Sequence, residues 1–154
     1  MRSRAVRARV DGLAKLDWDF SRDSVSSPKD RLRPPPAERF AGPEHRIDVA
    51  AALAALRAEH HESTERHRQI TVFHKGSLRI VLFAFEAGAG LPSHRAPGFV
   101  VIQTLRGRIT VKTMNESHDL ATGQFVVLDP EVVHDVTAAE ASDMLLTISL
   151  GAHA

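Results

Sequence analysis

Residues 88–134 read GAGLPSHRAPGFVVIQTLRGRITVKTMNESHDLATGQFVVLDPEVVH, a succession of short apolar runs broken by glycine and proline. Short runs rich in β-branched and apolar residues stand in it: Val100 to Leu105, Ile109-Thr110-Val111, Phe125-Val126-Val127-Leu128 and Val132 to Val136. Gly107 lies between Leu105-Arg106 and Arg108-Ile109, where a tight hairpin calls for positive φ, and Gly123 precedes an apolar strand in a similar turn. His94 follows Pro92 and precedes Pro97, which stiffen its loop on both sides.

The same pattern extends outward. Ile70-Thr71-Val72-Phe73, Leu78 to Phe85 and Met144 to Leu150 are further β-rich runs. Many short strands at fairly regular spacing predict an antiparallel sandwich or barrel rather than βαβ units. Before them, Asp48 can cap a helix whose apolar positions Val49, Leu53 and Leu56 recur at i, i+4 and i+7, ending near Arg57. The expected organisation is a leader over 1–46, a helix and connecting loop over 47–69, and a barrel over 70–154. Five of the eight prolines fall between Pro28 and Pro43, among serines and charges, so the leader reads as a flexible, disordered segment with at most a short helix around Val10 to Leu16.

Composition narrows the functional classes. The chain has 154 residues, 43% of them apolar, enough for one domain with one core. No apolar run approaches the length of about 18 residues needed to span a bilayer, so no membrane role is expected. Cysteine is absent, which removes disulfides, thiolate metal sites and a cysteine nucleophile, and fits a cytoplasmic location. Any metal must therefore use histidine, carboxylate or amide ligands. Residues 1–46 hold eleven Lys/Arg against seven Asp/Glu, a net +4, and residues 47–154 nine against twelve, a net −3. The arginines at 2, 4, 7 and 9 lack interleaved aromatics, so no nucleic-acid partner is expected, and no apolar core of a secretory signal follows them.

With the glycines and histidines in view, the sequence resembles the cupin superfamily, whose two motifs converge inside a small jelly-roll β-barrel. The first motif runs glycine, five residues, His-x-His, three or four residues, Glu, six residues, Gly; those positions are Gly88, His94, Ala96, Val100 and Gly107 here. The second runs glycine, five residues, Pro-x-Gly, two residues, His, three residues, Asn, and falls on Gly123, Asp129, Glu131, His134 and Ala138, with Pro130 one place late. Leu91 to Gly98 is also similar to a subgroup of small cupins with a His-x-Ala-Pro signature. The resemblance covers about residues 70–150. It implies an all-β cupin jelly roll with one short N-terminal amphipathic helix, a small-molecule ligand and a homodimer joined through edge strands.

A cupin of the full pattern holds a divalent metal through three histidines and one glutamate. Ala96 and Val100 replace two of those four, leaving His94 and His134 as candidate ligands for Fe, Mn, Zn or Ni. Two neutral imidazoles leave a dication short of ligands and of charge compensation. Gln103 is the third candidate, although strand alternation sets it opposite Val100, Ile102 and Thr104, so a bulge would be required to bring it in. His74, Glu86 and His118 are other polar residues on or near strands. The run Glu59 to His67 misses the zincin spacing because Glu65 stands where a second histidine is needed, and it reads as a solvated helix end.

Three functional classes follow. The first is a cupin binding a small molecule or divalent metal, without assigned catalysis. The second is a metal-dependent dioxygenase or isomerase using His94 and His134, with Phe83, Phe85, Val100, Ile102 and Val127 as cavity walls for a small apolar substrate. The third, a metal-free sugar epimerase of the cupin type, normally pairs a histidine base with a tyrosine acid, and this chain has no tyrosine. No Gly-x-Ser-x-Gly elbow supports a hydrolase.

Overall fold

A computed structural model describes residues 39–59 and 65–151. The expected helix around Val10 to Leu16, most of the leader and most of the Glu59–His67 run lie outside the described residues. Helix α1 (Val49–Ala58) starts where expected: the Asp48 side chain accepts a hydrogen bond from the Ala51 amide at 2.9 Å, and Leu53 and Leu56 face the protein. The strands are β1 (His67–Lys75), β2 (Leu78–Phe85), β3 (Gly90–His94), β4 (Phe99–Arg106), β5 (Arg108–Thr113), β6 (Ser117–Ala121), β7 (Phe125–Leu128), β8 (His134–Ala138) and β9 (Ser142–Ser149).

They form two facing sheets, a five-stranded one in the order β1-β2-β9-β4-β7 and a four-stranded one in the order β3-β8-β5-β6. Every pairing is antiparallel. The interior between the sheets is filled by Val81, Phe83, Ile102, Val111, Met144 and Leu146, with neighbours of the same strand parity. A second cluster lies on the outside of the five-stranded sheet, where Leu53 and Leu56 of α1 cover Leu82 with Ile70, Val72, Leu105 and Leu145 around it. Arg57 in the last turn of α1 and Arg106 of β4 both pair with the buried carboxylate of Asp143, pinning the helix to the sheet.

Gly107 and Gly123 have φ of 77° and 87°, as the hairpin readings require. Other details differ from the sequence expectation. Residues Gly90–His94, expected in a loop, form strand β3, and β6 escapes notice because Leu120 is its one buried residue. β8 starts at His134, two residues later than expected, because a turn occupies Asp129 to Val132. Residues 39–46 lie against β1: Phe40 is buried with its ring 5.3 Å from that of Phe73, and Lys75 donates to the Gly42 carbonyl at 2.8 Å.

Candidate functional site

The site begins with a register shift. On the neighbouring strands β3 and β8, Leu91 is opposite Val136, and the next matched pair is His94 opposite His134. Three steps along β3 therefore match two along β8, which places a β-bulge at Pro92-Ser93. Leu91 and His94 are buried, whereas Pro92 and Ser93 between them are exposed. Without the extra residue, alternation would turn His94 away from the interior. His134 shares its parity with Val136 and Ala138, which face the core.

The two imidazoles meet with ring centroids 4.3 Å apart and planes at 56°. His94 is 8% exposed and His134 2%. His94 Nδ1 lies 2.8 Å from the Pro92 carbonyl oxygen, and His134 Nδ1 lies 2.9 Å from that of Val132. A carbonyl can only accept, so each Nδ1 carries the proton and donates it. Each neutral ring then presents an unprotonated Nε2. His134 Nε2 is buried without a hydrogen-bond partner among the described residues.

Electrostatics hold the rings in that state. Burial pushes the pKa of His94 below the ordinary histidine value, opposed by its bond to Pro92 and by the charge of Asp135. Burial also pushes His134 down, opposed by the bond to Val132, while the neighbouring His94 lowers it further. Two adjacent buried imidazolium ions would repel and lack solvent, so the pair is neutral near pH 7. Neutral Nε2 atoms are ligands for a Lewis-acidic cation and acceptors for a hydrogen-bond donor. They offer nothing to an anion.

The rim is tied across the same two loops. Asp129-Pro130-Glu131-Val132 has the pattern of a type II turn, with proline second, a φ of 66° at Glu131, and a 3.4 Å bond from the Val132 amide to the Asp129 carbonyl. The Glu131 amide donates to the Ala96 carbonyl at 2.8 Å, and its carboxylate lies 3.3 Å from Arg95 Nε. A glutamate at the left-handed position that favours glycine costs about 1 kcal/mol. This rim was missed from sequence; the Pro130-Glu131 pair in place of a Pro-Gly turn was its available signal.

The remaining candidates lie elsewhere. Ala96 and Val100, where the full cupin pattern has ligands, are buried within the apolar core. Gln103 is half-buried on the face of β4 that it shares with Val101 and Leu105; its partners across the sheet are Phe125 and Leu145, and Leu105 and Leu145 belong to the outer cluster. Strand β4 keeps its alternation at this point, so the structure does not bring Gln103 to the histidines. Val127, expected as a cavity wall, is 52% exposed on the outside of β7, whereas Phe83, Phe85, Val100 and Ile102 do face the interior. Among the described residues, no group of three or more His, Cys, Asp or Glu side chains is placed to hold a metal ion.

Comparison with known proteins agrees with this architecture. The family described as AraC-like ligand binding domain matches residues 80–148. An RmlC-like cupin protein from Desulfovibrio desulfuricans superposes with a TM-score of 0.57 at 22% identity, over 70% of this chain and 98% of that one. The barrel has the cupin fold. KdgF from a Halomonas species is a further structural neighbour of the barrel, with a TM-score of 0.55 and 20% identity over 60% of this chain and 87% of its own. A conserved protein of unknown function from Streptococcus pyogenes gives 0.54 and 24%, over 59% and 80%. No curated protein matches the sequence. Among the described residues, no helix is long and apolar enough to cross a membrane.

Proposed function

We propose that this cupin binds a small ligand through His94 and His134, and that what the pair takes is a divalent cation or a ligand group that donates hydrogen bonds. The observation that carries the reading is the pair of Nδ1 bonds to Pro92 and Val132, which leaves both buried rings with unprotonated Nε2 atoms. The match to a ligand-binding family over the same residues supports it.

The fit to a metal is partial. The orphaned Nε2 of His134 and its partner ring supply two neutral nitrogen donors of the kind that Zn, Ni, Fe or Mn accept. They supply no charge compensation, so a metal here would take its remaining ligands from water or the small molecule and be held weakly. The dioxygenase or isomerase alternative needs a third protein ligand, and the face of β4 that Gln103 shares with Val101 and Leu105 speaks against Gln103 in that role. Ligand binding is therefore the better reading.

The test is titration of the purified protein with Zn²⁺ and Ni²⁺ by calorimetry, with elemental mass spectrometry of the protein as isolated. Wild type should bind one ion, and His134→Ala should weaken that binding at least tenfold. Equal binding by the two proteins would sink the metal arm; failure of the wild type to bind either ion would leave an organic hydrogen-bond donor as the ligand.

A further inference from the structure

The outer face of the five-stranded sheet is finished on one side only. Over β1, β2 and the nearer parts of β9 and β4 it is covered by α1. Beyond that, Phe99, Phe125 and Val127 are 49%, 58% and 52% exposed. They form one strip, because Val127 is paired with Val101, Phe125 is paired with Gln103, and Phe99 shares the outer face of β4 with both partners. Strand β7 is the edge of the sheet, and a shallow, largely polar depression lined by His118, Asp119, Leu120, Gly123, Gln124 and Phe125 adjoins the strip towards β6. A contiguous apolar strip along a sheet edge marks an interaction surface.

We infer that the strip is covered by the chain's own segment Leu16-Asp17-Trp18-Asp19-Phe20, which lies outside the described structure. Extended, this segment has Leu16, Trp18 and Phe20 on one side and Asp17 and Asp19 on the other, the pattern of a strand with one face on an apolar surface and one in water. The described chain begins at Arg39, whose guanidinium donates to the Thr71 carbonyl on β1, the opposite edge of the same sheet. Crossing four strand gaps of about 4.8 Å takes about 19 Å. The eighteen residues between Phe20 and Arg39 reach about 59 Å at about 3.3 Å each, ample for a path around α1. A tethered segment acts at an effective concentration in the millimolar range, well above that of a second copy in dilute solution.

Trp18 is the chain's single tryptophan and there is no tyrosine, so the full-length protein reports on the segment without labelling. Trp18 emission should be blue-shifted from that of the guanidinium-unfolded chain, and acrylamide quenching should be reduced at least twofold. The shift should not depend on protein concentration. The Phe125→Asp, Val127→Asp variant, with far-ultraviolet circular dichroism unchanged, should move both readouts to the unfolded values. Leu16→Asp, Phe20→Asp, which leaves the barrel untouched, should do the same even if the sheet variant fails to fold. Quenching equal to that of the unfolded chain, or emission unmoved by both variants, overturns the inference. So does a blue shift that grows with concentration alongside a dimer in sedimentation, which would make a second copy the occupant.

Discussion

Two parts of the barrel interior are built on opposite rules. Around Phe83, Ile102 and Met144, all fully buried, the space between the sheets is filled by apolar side chains. At the end formed by β3 and β8, the same interior holds two histidines 4.3 Å apart, one with a buried nitrogen lacking a partner. The first arrangement gains stability from burial; the second forgoes it, since burying a polar atom without a hydrogen bond costs about 1–3 kcal/mol. That cost, at a pair set in register by a bulge, is what the proposed binding role accounts for and packing alone does not.

The contrast can be broken most forcefully at the apolar part. Phe83→Ala should destabilise the protein by about 3–5 kcal/mol in guanidinium unfolding, the usual cost of truncating a buried phenylalanine. Should the loss fall below about 1 kcal/mol, the barrel core would not be the packed unit described. A smaller effect is expected where α1 meets the sheet: Leu56→Ala, at a fully buried position, should cost about 2–3 kcal/mol. His134→Leu should change stability by no more than about 1 kcal/mol, because an apolar side chain of similar size removes the orphaned nitrogen as it removes the hydrogen bond. A loss as large as that of Phe83→Ala would make the histidines structural.

The smallest effect is the pH dependence. Both folded-state histidine pKa values are lowered, so below about pH 6.5 the unfolded chain takes up protons that the folded one refuses. The stability contributed by the neutral pair is present above that pH and is lost as pH falls through the unfolded value towards the folded ones. Unfolding midpoints between pH 7.5 and 5 should decline more in wild type than in His134→Leu; parallel declines would mean that the pair does not titrate as described.

The fold was legible because its signals are local. Gly107 and Gly123 mark turns by their own backbone needs, Asp48 caps a helix three residues before its partner, and β2 and β4 carry long apolar runs. The two histidines were legible as a spaced pair. What sets their geometry was not, because the bulge at Pro92-Ser93 and the carbonyls of Pro92 and Val132 are backbone features that side-chain identities do not spell out. Gln103 was drawn in by proximity in sequence, and the alternation of β4 takes it to the other face. The ion pair of Arg95 with Glu131 depends on two distant loops meeting, which no local pattern reports.

The most direct measurement is a long-range proton–nitrogen correlation spectrum of the histidine rings in the ligand-free protein at pH 7.5. His94 and His134 should each show a protonated Nδ1 and an unprotonated Nε2. Either ring found with its proton on Nε2, or charged at that pH, would contradict an acceptor pair and with it the proposed choice of ligand.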